Sequence, residues 1–312
     1  MLSHNKVCEL EDFSHPDLLP VIREVFSHER ERCGDSFPHG REYRKYWEVA
    51  MAVRSLRAAG ALSSTSDILG VGAGNEPTIF YLTNHVRRVF ATDLYLASAS
   101  PSAGNSGTDR SFFRRLASTI LRKLPLWAES ANLGMMLDPG RYWPREWKPR
   151  RLVVQHMNAL DLQYEDASFD GIFSSSSLEH FGTPEQVRKS LREMARVLKP
   201  GGIASLSTEF RLSVSKPALP GILMFDEKQV REWIIGVADW EPIDVPTFDV
   251  SSETMKGELK FSRALKELTS HLKVQGEVIF HRLTWATYPH IVLRAGEQVW
   301  TSIHLALRKR GN

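Results

Sequence analysis

Three features of the 312-residue chain have residue types and spacing that can do chemistry. One is a glycine turn, Gly70-Val71-Gly72-Ala73-Gly74-Asn75-Glu76-Pro77, set between a strand-like run and a helix-like run. Another is Asp93, 21 residues past Gly72, at the end of the next strand-like run. The last is His180 in "SLEHF", just after a further apolar run. A dinucleotide turn needs G-x-G-x-x-G, whose third glycine lets helix and strand pack closely. Counted from Gly70 the third position is Asn75, and counted from Gly72 it is Pro77, so neither register fits. A pyrophosphate would sit on the bare amino terminus of the helix. Glu76 there complements the helix dipole and repels phosphate. Asp93 can accept hydrogen bonds from two ribose hydroxyls. Turn and acid together point to an adenosine-type ligand without phosphate, in preference to a tight turn and an unrelated loop-capping acid.

The side chains that would act on such a ligand's partner are fewer. Histidine titrates near neutrality, so His180 is the candidate general base, with simple capping or packing at the strand end as the bland reading. His156 and His290 fall on strand-like runs and are weaker candidates. In "GREYRKYWE", Tyr43, Tyr46 and Trp47 can meet a cation with their ring faces, and Arg41 or Arg44 can pair with a carboxylate. Ordinary helix packing explains each of these equally well.

These residues need a frame to hold them. "REYRKYWEVAMAVRSLRAAGAL" carries a helical apolar stripe that leads into a strand at Asp67 to Val71. After Asp93 the regular pattern stops. "ASASPSAGNSGTD" reads as a loop. "RSFFRRLASTILRKLPLW" reads as a short basic amphipathic helix with Phe112, Phe113, Leu116, Ile120 and Leu124 on one side. From Leu94 to Arg150 there are nine Arg/Lys against four Asp/Glu. This insertion, 94–150, is the candidate substrate element, with Trp127, Trp143 and Trp147 able to stack on a sugar or ring. Strands resume at "RLVVQHM" and "FDGIFSSSS". "TPEQVRKSLREMARVLKPGG" is a helix with Thr183 as cap, Pro184 in the first turn and Gln186 completing a capping box. "FDEKQVREWI" repeats that logic with Asp226 and Gln229. The terminal "HIVLRAGEQVWTSIHLALRK" reads as an antiparallel hairpin. The alternation predicts an α/β, Rossmann-like, doubly wound and mostly parallel seven-stranded sheet with an antiparallel last strand. Residues 1–61 form a helical segment closing over the cofactor site, and 62–312 the main domain.

Bulk properties narrow the class. Hydrophobic residues at 42% with 25% charged ones give a core of ordinary globular kind. The net charge of +3 argues weakly at most for a nucleic-acid partner, and no DNA is expected. Cys8 and Cys33 cannot build a disulfide framework or a thiolate zinc site, and no metal motif appears. With neither a signal-type run nor a membrane span, the expectation is a cytoplasmic protein of unknown oligomeric state.

From about Leu62 to Trp240 the chain resembles the class I S-adenosylmethionine (SAM)-dependent methyltransferases of type-11 kind. "ILGVGAGNE" is similar to their first motif, "VFATD" to the second, "NALDLQYEDASFDGIFSSSSLEHF" to the adenine-contact and fourth-strand stretch. "LREMARVLKPGGIASLST" matches their following helix and strand most specifically. The resemblance implies S-adenosyl-L-methionine as cofactor. It implies backbone contacts at Gly72, Ala73 and Gly74, ribose binding by Asp93, adenine contacts at Asn158, Ala159 and Leu160, and a methionyl lining from Ser174 and Ser175. Departures stand beside it: Gly70 occupies the place of an acid, Glu76 that of the last motif glycine, and Asn158 that of an aspartate. Glu76 is a candidate to stand in for the missing acid. The expected activity is methyl transfer to a small-molecule or glycan acceptor, with O-methylation favoured. The alternatives are a non-catalytic binding protein of the same fold, or a methyltransferase acting on RNA or protein. A nicotinamide oxidoreductase is disfavoured by the broken glycine pattern.

Overall fold

Five strands in parallel register carry the centre of the molecule, which a computed structural model describes for residues 1–96, 128–213, 222–260 and 290–311. β2 (Asp67–Val71) is flanked by β3 (Arg88–Asp93) and β5 (Phe169–Ser175). β4 (Leu152–His156) lies outside β3, and β6 (Leu198–Arg211) outside β5. β10 (Gln298–Lys309) runs antiparallel to β6 and to the short β7 (Trp240–Pro242). These seven strands are the expected sheet, with the expected antiparallel last strand. β2, β5 and most of β3 are apolar because helices cover both faces of a parallel sheet.

Three short strands enlarge the sheet to ten. β9 (Leu293–Ala295) makes the expected terminal hairpin with β10, and β8 (Leu259–Lys260) extends beyond it. β1 (Lys6–Val7) pairs antiparallel with β10, so the amino-terminal segment supplies a strand as well as helices. The helices of that segment are α1 (Leu19–Val25), α2 (Ser27–Cys33) and α3 (Arg44–Ala58). α3 is buried along most of its length, with Trp47, Met51 and Leu56 fully enclosed, and lies against the sheet near β6, β10 and β5. α4 (Pro77–Leu82) follows the glycine turn. α5 (Ala128–Leu137) lies in the insertion, whose residues 97–127, with the expected loop and basic helix, fall outside the described residues.

The capping logic holds. α6 (Pro184–Val197) has Thr183 accepting from the Gln186 amide while the Gln186 side chain accepts from the Thr183 amide. Val187, Leu191 and Met194 form its buried stripe. The helix ends at Val197, and β6 begins at once with Leu198. Asp226 and Gln229 form the second capping box, but the helix they start is irregular: a single α-turn (Glu227–Gln229), a π-helical turn (Val230–Ile234) and a 3-10 turn (Ile235–Val237). None of the helices among the described residues is long and apolar enough to cross a membrane.

Candidate functional site

β2 stands where the strand order reverses, with β3 on one side and β5 on the other. Ligands of open parallel sheets bind at the carboxyl edge of such a switch point. The chain leaves β2 through Gly72 (φ +63°) and Gly74 (φ +51°), a backbone region that side chains disfavour. At Gly72 the requirement is double, because a Cβ there would lie 2.6 Å from Ser177 Cβ. The turn is latched from three sides. The Ala73 amide donates to Thr92 O at 3.0 Å, the Tyr95 hydroxyl donates to Gly74 O at 2.7 Å, and Ser177 Oγ donates to Gly72 O at 2.7 Å.

Asp93 faces the turn at the end of β3. Its Oδ2 accepts from the Gly74 amide at 2.8 Å and its Oδ1 from the Leu94 amide at 2.6 Å. Burial holds the carboxyl above its usual range, opposed by these two donors and by His156 and His180. Turn and acid, paired from the sequence, are therefore in direct contact.

The missing acid at Gly70 has a steric reason. A Cβ there would sit 2.5 Å from Phe173 Cζ and 2.9 Å from Ala73 Cβ, so a side chain would force the buried Phe173 ring and the turn to shift. Glu76, read from the sequence as complementing the helix dipole, does not use its carboxyl to cap the helix. It occupies the N-cap position of α4 but makes no side-chain cap bond. Its carboxyl turns inward, where burial, and then the charge of Glu48, push its pKa up to about 8 against the pull of Lys45. Glu76 Oε1, Ser175 Oγ and Thr78 Oγ1 are buried without a hydrogen bond of good geometry to the protein, yet the two hydroxyls lie close enough to the carboxyl to pull its pKa down. A poorly satisfied buried polar group costs about 1–3 kcal/mol, so this cluster is under-satisfied by the protein alone.

The other expected residues divide. Ser174 and Ser175 alternate across β5. Ser175 pairs in register with Ser207, while Ser174 is opposite Leu206, which packs in the apolar cluster beneath α6. Only Ser175 lies beside Glu76. Asn158 is exposed and its Oδ1 accepts from the Leu160 amide at 2.9 Å, which fixes the Asn158–Leu160 turn next to Asp93 through the Met157 amide. His180 is exposed in a 3-10 turn (Leu178–His180), with its charge felt by Asp93. His156 is exposed and its Nδ1 accepts from the Leu96 amide, and His290 is buried and kept neutral by burial and by Arg44 and Lys45. Among the aromatic candidates, Trp47 is core, donating through Nε1 to Asp12 at 2.8 Å, and Tyr46 packs on Phe26 and Phe37. Trp143 stacks on Phe80 and Trp147 meets the same ring edge-on, so these two attach the insertion to α4. Trp127 lies outside the described residues. Arg44 is committed to Glu209 at 2.5 Å.

Sequence reasoning missed a buried carboxylate group around the first turn of α3. Glu48, fully buried, accepts from Lys45 Nζ (2.9 Å), Ser176 Oγ (2.7 Å) and the Ser302 hydroxyl. Glu179 accepts from Thr208 Oγ1 at 2.8 Å, and burial with the nearby Glu209 pushes its pKa up to about 8. The available signal was a glutamate next to Trp47 on the apolar side of a helix.

With this geometry in place, residues 137–206 match the methyltransferase domain family model. An 82-residue stretch is 39% identical to 27-O-demethylrifamycin SV methyltransferase of Amycolatopsis mediterranei, covering 26% of this chain and 27% of that protein. An 87-residue stretch is 38% identical to demethylmenaquinone methyltransferase of Listeria welshimeri, covering 28% and 33%. The chain thus spans a third or less of the length of these curated relatives. Among solved structures, 1,6-didemethyltoxoflavin-N1-methyltransferase of Burkholderia thailandensis, bound to S-adenosylhomocysteine, is 15% identical over 94% of this chain and 89% of that one, with a TM-score of 0.42. The family match supports a class I SAM-dependent methyltransferase with SAM as its cofactor. The described residues contain no group of three or more potential metal ligands.

Proposed function

We propose that the chain transfers a methyl group from SAM to a small-molecule or glycan acceptor, with oxygen the favoured atom. The observation that carries this reading is the latch between Asp93 and the Gly72–Gly74 turn, set beside three under-satisfied polar atoms at Glu76, Ser175 and Thr78. A ligand with ribose hydroxyls and a polar, cationic end would complete both halves. The name of the Amycolatopsis relative, which records a 27-O-demethyl substrate, favours oxygen.

In this reading Asp93 holds the ribose hydroxyls, and Asn158, Ala159 and Leu160 border the adenine. Gly72, Ala73 and Gly74 bring backbone against the ribose and methionyl part. Glu76 takes the ammonium that an acid at Gly70 would otherwise meet, with Ser175 beside it and Ser174 supporting the strand from its other face. SAM, when bound, supplies a methyl group on a positively charged sulfur. The protein's share is alignment and exclusion of water, since in-line displacement is governed by approach geometry. His180, exposed at the mouth, removes the acceptor proton. Residues 1–61 wall the methionyl side and the 94–150 insertion borders the acceptor.

Calorimetric titration of the full chain with SAM, and with NAD as control, tests the proposal. SAM should bind and NAD should not, and Asp93→Ala should weaken SAM binding by about 30- to 100-fold. A folded sample that ignores SAM, or binds NAD as well, contradicts it.

A further inference from the structure

Ser176 combines strain with a specific restraint. It has φ +47°, one of two non-glycine residues among those described with positive φ. Such a conformation is strained and persists only where neighbours over-determine it. Ser176 is held at two points: its amide donates to Ser207 O at 2.8 Å, and its hydroxyl donates to Glu48 Oε2 at 2.7 Å. The next residue, Ser177, donates to Gly72 O, and its Cβ occupies the space that excludes any side chain at Gly72.

Glu48 is itself anchored. Oε1 accepts from the Ser302 hydroxyl on β10, and Oε2 from Lys45 and from Ser176 just past β5. Arg44 lies 3.7 Å away and bonds both Glu209 and Ser302. The carboxylate therefore spans the carboxyl end of β6 from its β5 side to its β10 side. It is satisfied by hydroxyls and cations, unlike Glu76.

We infer that Glu48 is a positioning residue for the cofactor turn: from α3 it fixes Ser176 in its left-handed conformation, and through Ser177 it sets the position of Gly72. The relay runs Glu48, Ser176, Ser177, Gly72, and ties the amino-terminal segment to the glycine turn without touching a ligand. Its consequence for SAM binding rests on the proposed function, while its consequence for the turn does not.

The test uses the full chain with Ser176→Ala, Ser176→Gly and Glu48→Gln, read by denaturant unfolding, SAM calorimetry and amide exchange at Gly72–Gly74. Ser176→Gly removes the hydroxyl and also relieves the strain, so its stability should match wild type. It should nevertheless bind SAM about tenfold more weakly, the effect of losing one charge-assisted hydrogen bond. Ser176→Ala should weaken SAM binding similarly with some loss of stability. Glu48→Gln retains one accepting oxygen and should fall between Ser176→Gly and wild type. All three should speed exchange at Gly72–Gly74 in ligand-free protein. If Ser176→Gly and Ser176→Ala leave both SAM affinity and turn exchange at wild-type values, Glu48 is structural only and the inference falls. Should wild type fail to bind SAM while the variants still speed turn exchange, the relay stands and the proposed function falls.

Discussion

Two buried carboxyls, Asp12 in the amino-terminal buttress and Glu76 at the glycine turn, lie in similar surroundings but have opposite partnerships. Burial is the largest influence on each and pushes both upward. Asp12 is met by the Lys6 ammonium, the Trp47 indole at 2.8 Å and the Glu9 amide at 3.1 Å. Glu76 has one oxygen with no partner and a like charge, Glu48, nearby. The same contrast extends around them. In the buttress, Asp244 accepts from the amides of His4 and Asn5 and from the side chains of Ser3 and Asn5. His304 is buried and held neutral, its Nε2 paired with Ser205 and its Nδ1 with His4 O. At the turn, the Ser175 and Thr78 hydroxyls lie beside Glu76 without a hydrogen bond of good geometry. A polar interior closed on itself serves the fold. One left open at a strand-order reversal, beside an acid latched to a glycine turn, is where the proposed cofactor would sit.

The largest effect that would break this contrast is Asp12→Ala. It leaves the Lys6 ammonium buried without its partner and should cost roughly 3–5 kcal/mol of stability, read by urea unfolding, with SAM affinity of the folded fraction unchanged. Asp93→Ala should act on the ligand instead: SAM affinity falls about 30- to 100-fold, equivalent to roughly 2–3 kcal/mol, with a smaller loss of stability because the Gly74 and Leu94 amides lose their acceptor. Placing the family's acid back with Gly70→Asp should destabilise by about 2 kcal/mol through overpacking against Phe173, and should not improve SAM binding.

The smallest effect concerns Glu76 and pH. Its pKa is raised in the folded state, so the unfolded chain ionises first as pH climbs. Ligand-free stability should therefore decline between about pH 4.5 and pH 8. Glu76→Gln should remove that decline and raise ligand-free stability at pH 7.5 relative to wild type. The same variant should weaken SAM binding and flatten its rise with pH. Denaturant melts and titrations at several pH values read both.

Much of the frame was legible because its signals are local. The Thr183–Gln186 box, the glycine turn and the run into Asp93 each lie within a few residues or one strand–helix–strand unit. What escaped depends on distant pairing. β1 has two residues, and its partners on β10 lie near the other end of the sequence. Glu48 reads as a helix charge until Ser176 and Ser302 are brought to it. The inward turn of Glu76 was hidden because the sequence shows only its place at the helix start, where its charge complements the dipole whichever way the side chain points. Trp143 and Trp147 looked like ligand platforms because nothing in the sequence shows that both meet Phe80.

Hydrogen exchange of the full chain with and without SAM compares the two regions in one experiment. Added SAM should slow exchange at the amides of Gly72–Glu76, Leu94, Leu160 and Ser175–Ser177, and leave Leu2–Asp12 as in the ligand-free protein. Unchanged exchange at the glycine turn, or protection confined to the buttress, would contradict the assignment of the open polar site to SAM.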